Sequence, residues 1–417
     1  MTAIRVLVVD DSVVVRRLVT DALAADPRVE VVGTASDGRR ALARVEQLKP
    51  DVVTMDVEMP DMNGIEAVRA LRTSGSRVPI IMFSTLTERG AAATLDALVA
   101  GASDYVTKPS NMGSVQESIA RVAEELIPKI LVLAGGPGAA GRGHLGARPA
   151  AAGPGGLGLR TPGGYAPVAA PGGQALGGFA SRAAGFGLAR TAPAGGTVPA
   201  RAASPAPPAP HPVRMVVVGS STGGPQALST LVTALTTPPR VPVVVVQHMP
   251  PVFTHQLAAR LDRLGPARVS EAVDGEELRP GHVYIAPGGE HLLVRNVRGT
   301  LRAVLDQGPP VNFCKPSVDV MFDSAVEAVG GDLVCAVLTG MGSDGRNGAG
   351  KIVAAGGTVL AQDEATSVVW GMPGAVTTSG FAHRVLPLDE VPGALEAAVA
   401  AAVGTPQPAA HLTGGVR

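Results

Sequence analysis

The 417 residues contain only two cysteines, Cys314 and Cys335. They lie in separate segments with no C-x-x-C spacing and no nearby histidine pair, so neither a disulfide framework nor a zinc site is signalled, and both thiols are expected to be buried. No charge of one sign dominates: 35 basic residues balance 35 acidic ones, and Lys and Arg form no long basic run, which argues against nucleic acid as a partner. No apolar run approaches the roughly 20 residues that a membrane span requires. The first apolar run, Ile4 to Val9, is interrupted by Arg5 and closed by Asp10 and Asp11, which the apolar core of a signal peptide would not tolerate. A soluble, cytoplasmic chain without membrane insertion is therefore expected.

Length allows two globular units and connecting material. Between Ala134 and His211, 54 of 78 residues are Gly, Ala or Pro and the only charged residues are six arginines. Such a stretch has too few large apolar groups to offset the entropy of ordering, so residues 134–211 read as a disordered linker. It separates a first domain, 1–133, from a second, 212–405, and residues 406–417 read as a flexible tail.

The first domain alternates strands and helices, which favours an α/β fold with a doubly wound five-stranded parallel sheet of the flavodoxin-like kind. Its strands lie near Val6 to Val9, Val29 to Val32, Val52 to Met55, Ile80 to Phe83 and Tyr105 to Val106. Helical spacing places Val15, Leu18, Val19, Ala22 and Leu23 on one face, and Val115, Ile119, Val122 and Leu126 on another. Asp10 and Asp11 follow the first strand, Asp56 ends the third, Ser84 follows the fourth and Lys108 the fifth. In such a sheet these strand ends meet in one cleft. Three converging carboxylates repel, and a hard cation such as Mg²⁺ is the natural remedy; with the Lys108 ammonium it would also neutralise a phosphoryl group arriving at Asp56.

These residues, with Lys108-Pro109, resemble the response-regulator receiver family over essentially all of residues 1–127. The resemblance implies that Asp56 is the phosphoacceptor and that Asp10, Asp11 and the Glu58 carbonyl hold Mg²⁺ beside it. It further implies that Lys108 contacts the phosphoryl group and that Ser84 and Tyr105 form the switch.

In the second domain βα alternation resumes at Val216 to Val218, Val243 to Gln247, Val334 to Leu338 and Thr358 to Ala361. His282 to Ala286, His291 to Val294 and Leu301 to Leu305 read as an antiparallel insertion within a mainly parallel α/β domain. Gly219-Ser220-Ser221-Thr222-Gly223 satisfies G-x-S-x-G between a strand and a helix, spacing that can expose Ser221 as a nucleophile, or make it only a turn residue. His248, at the end of the next strand, is the candidate base; His255, His282 and His291 are rivals. Asp344 follows the strand Val334 to Leu338 as the candidate acid, with Asp363 as the alternative.

Gly219 to Gly224, Gln247-His248-Met249-Pro250 with Phe253-Thr254, and Leu338 to Gly345 together resemble the chemotaxis protein-glutamate methylesterase family, in its order of receiver then esterase. The resemblance implies Ser221 as nucleophile, His248 as general base and Asp344 as its orienter. The implied substrates are γ-glutamyl methyl esters of methyl-accepting chemotaxis receptors, and many members also deamidate receptor glutamines. A chemotaxis histidine kinase would be the phosphodonor, and no cofactor is implied for the esterase site. Amides near Thr222 and Met341 are candidates for the oxyanion hole. Two other readings remain open on the residues alone. Gly340 to Gly345 also spells G-x-G-x-x-G with Asp363 downstream, a nucleotide-binding signal, and a receiver could regulate a non-catalytic module.

Overall fold

A computed structural model describes residues 3–109, 114–135, 204–205 and 211–403. The expected linker therefore lies almost wholly outside the described residues, as does the expected tail.

In the first block, β1 (Ile4–Val9), β2 (Val29–Ala35), β3 (Val52–Asp56), β4 (Ile80–Ser84) and β5 (Asp104–Thr107) pair in parallel in the order β2-β1-β3-β4-β5. The helices between them are α1 (Val13–Leu23), α2 (Gly38–Leu48), α3 (Gly64–Thr73) and α4 (Glu88–Val99), and α5 (Val115–Gly135) closes the block. Polar side chains start these helices: the Asp37 carboxylate accepts the Arg40 amide, and Asn63 and Glu66 form a reciprocal capping box. β3 and β4 are buried throughout, as central strands covered on both faces must be. The strand order reverses at β1, so the crevice outside the carboxyl ends of β1 and β3 is where a functional site should form.

The second block continues with β6 (Met215–Ser220), α6 (Gly224–Ala234), β7 (Val243–Gln247), α7 (Pro251–Leu261), β8 (Arg268–Glu271), β9 (His282–Ile285), β10 (His291–Val297) and β11 (Thr300–Asp306). It ends with α8 (Val318–Val329), β12 (Leu333–Val337), α9 (Arg346–Ala354), β13 (Thr358–Gln362), α10 (Met372–Thr378), β14 (Arg384–Leu386) and α11 (Val391–Val403). Seven strands form one sheet in the order β14-β13-β12-β6-β7-β9-β8, and every pairing in it is parallel. The expected antiparallel insertion is thus smaller than its sequence suggests: β9 joins the parallel sheet between β7 and β8, and only β10 and β11 form an antiparallel hairpin. Its two-residue turn, Arg298-Gly299, has both residues at positive φ, the geometry that matches strand twist.

Apolar residues fill both faces of each sheet. One buried cluster joins β6, β7, α6 and α7 to the α4 side of the first block through Leu95, Leu98 and Tyr105. The described residues of the two blocks belong to one compact unit.

Candidate active site and receiver site

At the carboxyl end of the first sheet, one carboxylate oxygen from each of Asp10, Asp11 and Asp56 lies within 4.8 Å of the others. Lys108 Nζ lies 2.9 Å from Asp10 Oδ2 and 2.8 Å from Asp56 Oδ2. Burial, opposed by Lys108 and reinforced by Asp10, raises the Asp56 pKa to about 6, while the Val57 amide donates to its Oδ1 at 2.7 Å. Three hard oxygen donors gathered around one point, one of them buried and with only the Lys108 charge to meet it, fit a divalent cation such as Mg²⁺. The Glu58 side chain points elsewhere and pairs with Arg89 at 3.5 Å. Ser84 donates to the Gly90 carbonyl at 3.2 Å, in the first turn of α4.

In the second sheet the order reverses at β6, which lies between β12 and β7. The segments that follow those three strands carry Ser221, His248 and Asp344. Gly223, at φ 78°, lets the chain turn sharply from β6 into α6. A side chain at Gly340 would lie 2.9 Å from Ser221 Cβ, so only glycine lets the loop after β12 close on the serine. Gln247 locks the turn to the neighbouring strand: its Oε1 accepts Ser220 Oγ at 2.7 Å and its Nε2 donates to the Ser221 carbonyl at 2.9 Å.

His248 Nε2 lies 2.9 Å from Asp344 Oδ2. That carboxylate also accepts Asn312 Nδ2 at 2.8 Å, Ser317 Oγ at 2.9 Å and the amides of Val318 at 2.6 Å and Asp319 at 3.1 Å. The last two belong to the first turn of α8, whose dipole favours an anion there. Burial alone would raise the Asp344 pKa, but His248, Asn312 and the Val318 amide outweigh it and hold it at about 2. Burial likewise disfavours charge on His248, and Asp344 and Cys314 overcome it, raising its pKa to about 9. Ser221 Oγ makes no hydrogen bond among the described residues. The Thr222 and Met341 amides likewise have no acceptor there, which leaves both available as donors.

The rivals are occupied elsewhere. His255 is exposed and faces Glu271 at 3.4 Å, His282 bonds Ser270, and His291 is buried between Pro309 and Ser317. Asp363 caps its own turn through Thr366. The Gly345 amide at the end of the G-x-G-x-x-G loop and the Val318 amide at the facing start of α8 are taken by the Asp344 carboxylate, which stands where a pyrophosphate would bind. One expectation is corrected: Cys335 is buried, but Cys314 is only half-buried, and its Sγ lies 3.6 Å from His248 Nδ1. Its neighbour Phe313 is fully exposed, because the Val311–Cys314 turn projects from the surface with Asn312 and Phe313 at positive φ. Gln247, quoted above only as part of a motif, and Asn312 and Ser317 carry contacts to the site that the sequence reading assigns to no role. A buried glutamine ending an all-valine strand is a signal that would have found the first.

The receiver reaches this site directly. Thr222 Oγ1 donates to Asp104 Oδ2 at 2.7 Å, and Lys129 Nζ pairs with the same oxygen at 2.6 Å. Tyr105, buried, stacks on Phe253 of α7 with ring centroids 4.6 Å apart. Arg260 of α7 pairs with Asp96 of α4. Leu98, Asp104 and Tyr105 on one side and Ser221, Thr222 and His248 on the other enclose a cavity of only about 40 Å³, little more than one water's share of volume.

Fold and sites together define a receiver-coupled hydrolase. The response regulator receiver domain profile matches residues 6–120 and the CheB methylesterase profile matches residues 216–395. A protein-glutamate methylesterase/protein-glutamine glutaminase from a Nocardioides strain is 55% identical over 94% of each chain, and one from Trichodesmium erythraeum is 38% identical over 94% of this chain and 97% of its own. The chain belongs to the protein-glutamate methylesterase/protein-glutamine glutaminase family. Among solved structures, the CheB methylesterase catalytic domain of Thermotoga maritima is 45% identical and covers 44% of this chain and 98% of its own, with a TM-score of 0.44. Among the described residues no helix is long and apolar enough to cross a membrane.

Proposed function

We propose that this enzyme hydrolyses γ-glutamyl methyl esters of methyl-accepting chemotaxis receptors in the cytoplasm and deamidates receptor glutamines, with Ser221 as nucleophile, His248 as general base and Asp344 as its orienter. The observation that carries the reading is the 2.9 Å contact of His248 Nε2 with an Asp344 carboxylate held ionised by five further donors, one strand away from Ser221. A carboxylate at Nε2 keeps the proton on that nitrogen, so Nδ1 carries the lone pair that accepts the Ser221 proton. Ser221 Oγ attacks the ester carbonyl, and the Thr222 and Met341 amides meet the oxyanion. Methanol departs with the proton from His248, and a water activated by the same nitrogen releases the glutamate; ammonia takes methanol's place in deamidation.

Asp56 is the proposed phosphoacceptor, with a chemotaxis histidine kinase as donor. Mg²⁺ held by Asp10, Asp11, Asp56 and the Glu58 carbonyl would neutralise charge at the incoming phosphoryl group. Lys108 would contact the same group, and Ser84 would leave Gly90 to bond it, freeing α4. Because α4 and Tyr105 pack against the esterase, that change weakens docking and opens the 40 Å³ cavity.

Methanol release from methylated receptor membranes, measured with and without an acyl-phosphate donor, tests the reading. Ser221→Ala should fall to background, and Asp56→Asn should keep basal release while losing stimulation. Undiminished release by Ser221→Ala would remove Ser221 from the mechanism.

A further inference from the structure

Two ligand types that favour zinc meet at the proposed base. Cys314 Sγ lies 3.6 Å from His248 Nδ1, and one ligand atom from each of His248, Cys314 and Asp344 lies within 4.8 Å of the others. A tetrahedral zinc ion bound at about 2.0 Å to nitrogen and about 2.3 Å to sulfur separates those two atoms by about 3.5 Å. The observed spacing is already that of two ligands flanking one ion. His248 is also arranged as metal-binding histidines are, since Asp344 holds the far ring nitrogen and leaves Nδ1 as the free donor. The exposed Val311–Cys314 turn gives an entry path that does not pass through the cavity beneath the receiver.

We propose that Cys314 and His248 form a reversible inhibitory site for a thiophilic divalent cation of the Zn²⁺ class. Coordination takes the Cys314 sulfur as thiolate and the Nδ1 lone pair of His248, and it releases the thiol proton and, below about pH 9, the Nδ1 proton to solvent. Water fills the remaining positions, and the Asp344 carboxylate stays on Nε2. Sulfur in the donor pair excludes Mg²⁺ and Ca²⁺, so the receiver's cation does not compete. Binding stands on the geometry alone; inhibition also rests on the reading of His248 as the base, because the metal removes the electron pair that would accept the Ser221 proton.

Co²⁺ is the probe. Full-length protein with excess Mg²⁺ present should develop a sulfur-to-cobalt charge-transfer band in the near ultraviolet on Co²⁺ addition, and Zn²⁺ should displace it. Cys314→Ser should abolish the band, and Cys314→His should abolish it while retaining Zn²⁺ binding, since imidazole replaces one ligand by another. In the methanol-release assay with phosphodonor, Zn²⁺ should inhibit wild type and a chelator should restore it. The half-inhibitory Zn²⁺ concentration should rise at least tenfold in Cys314→Ser. A wild type that gives no band, or a band that survives in Cys314→Ser, overturns the site. A band without chelator-reversible inhibition overturns its inhibitory role and leaves ester hydrolysis by Ser221 untouched.

Discussion

Asp104 of the receiver holds Thr222, the residue that follows Ser221, through a 2.7 Å hydrogen bond. The same aspartate immediately precedes Tyr105, which stacks on Phe253. One short strand, β5, therefore touches both the turn that carries the proposed nucleophile and the helix that flanks it. Thr222→Val preserves shape and backbone and removes only the hydroxyl donor. A charge-assisted hydrogen bond of this kind contributes about 1–2 kcal/mol, which shifts a docking equilibrium by roughly fivefold to thirtyfold. Basal methanol release should rise by a factor within that range, and stimulation by phosphodonor should shrink to match. If basal release is unchanged, this contact does not hold the closed state.

Much of this architecture was legible in the sequence because buried parallel strands read as apolar runs and their ends carry the polar groups. That logic puts Asp10, Asp56 and Lys108 at one sheet edge and His248 beside Asp344 at another, and the structure has the side chains of each group within hydrogen-bonding distance. β9 was misjudged because His282 to Ile285 resembles a half-exposed strand, whereas its pairing partner β7 lies far off in sequence. β8 is too short and too polar, and β14 too short, to announce itself. The half-buried Cys314 beside His248 and the role of Asn312 escape the sequence for a different reason. They sit on an irregular turn with no periodicity, and only the fold brings that turn to His248 and Asp344.

The His248–Asp344 pair sets opposite pH limits. His248 rises from 6.5 to about 9 on folding, so the stability it contributes is complete below about pH 6.5 and is lost as pH rises through 9. Asp344 falls from 3.8 to about 2, so its contribution is complete above about pH 4 and is lost as pH falls through 2. Thermal unfolding in the presence of chelator should show the pair contributing fully between about pH 4 and 6.5, with a loss on the order of 3 kcal/mol toward pH 10. Hydrolysis should move the other way, rising through pH 9 as His248 becomes able to accept a proton. A pH–rate profile already flat from pH 7 would contradict this.

Gln247→Leu keeps volume but strips the bonds to Ser220 and Ser221, and it leaves the buried Ser220 hydroxyl without its acceptor. Stability should fall by about 1–3 kcal/mol. Because the substituted residue holds the turn rather than the substrate, kcat should fall more than KM changes. Calorimetry and steady-state kinetics on the full chain separate the two effects, and an unaltered kcat would show that the turn holds Ser221 unaided.

Asp344→Asn is the sharpest test of the proposed triad, because it preserves shape and removes charge. An asparagine amide presents one acceptor where the carboxylate presents two, yet Asn312, Ser317, His248 and the amides of Val318, Asp319 and Gly345 all donate here. The start of α8 will claim the remaining carbonyl, which turns the amide nitrogen toward His248 Nε2. A donor facing that nitrogen favours the tautomer with its proton on Nδ1, which can no longer accept the Ser221 proton. kcat should then fall by about 10³–10⁴, the loss expected when the orienting acid of a serine triad becomes an amide, with KM little altered. The pH–rate profile should also lose its rise toward pH 9, since the carboxylate that lifts His248 is gone. A merely structural Asp344 would lower the unfolding temperature while leaving that profile in place.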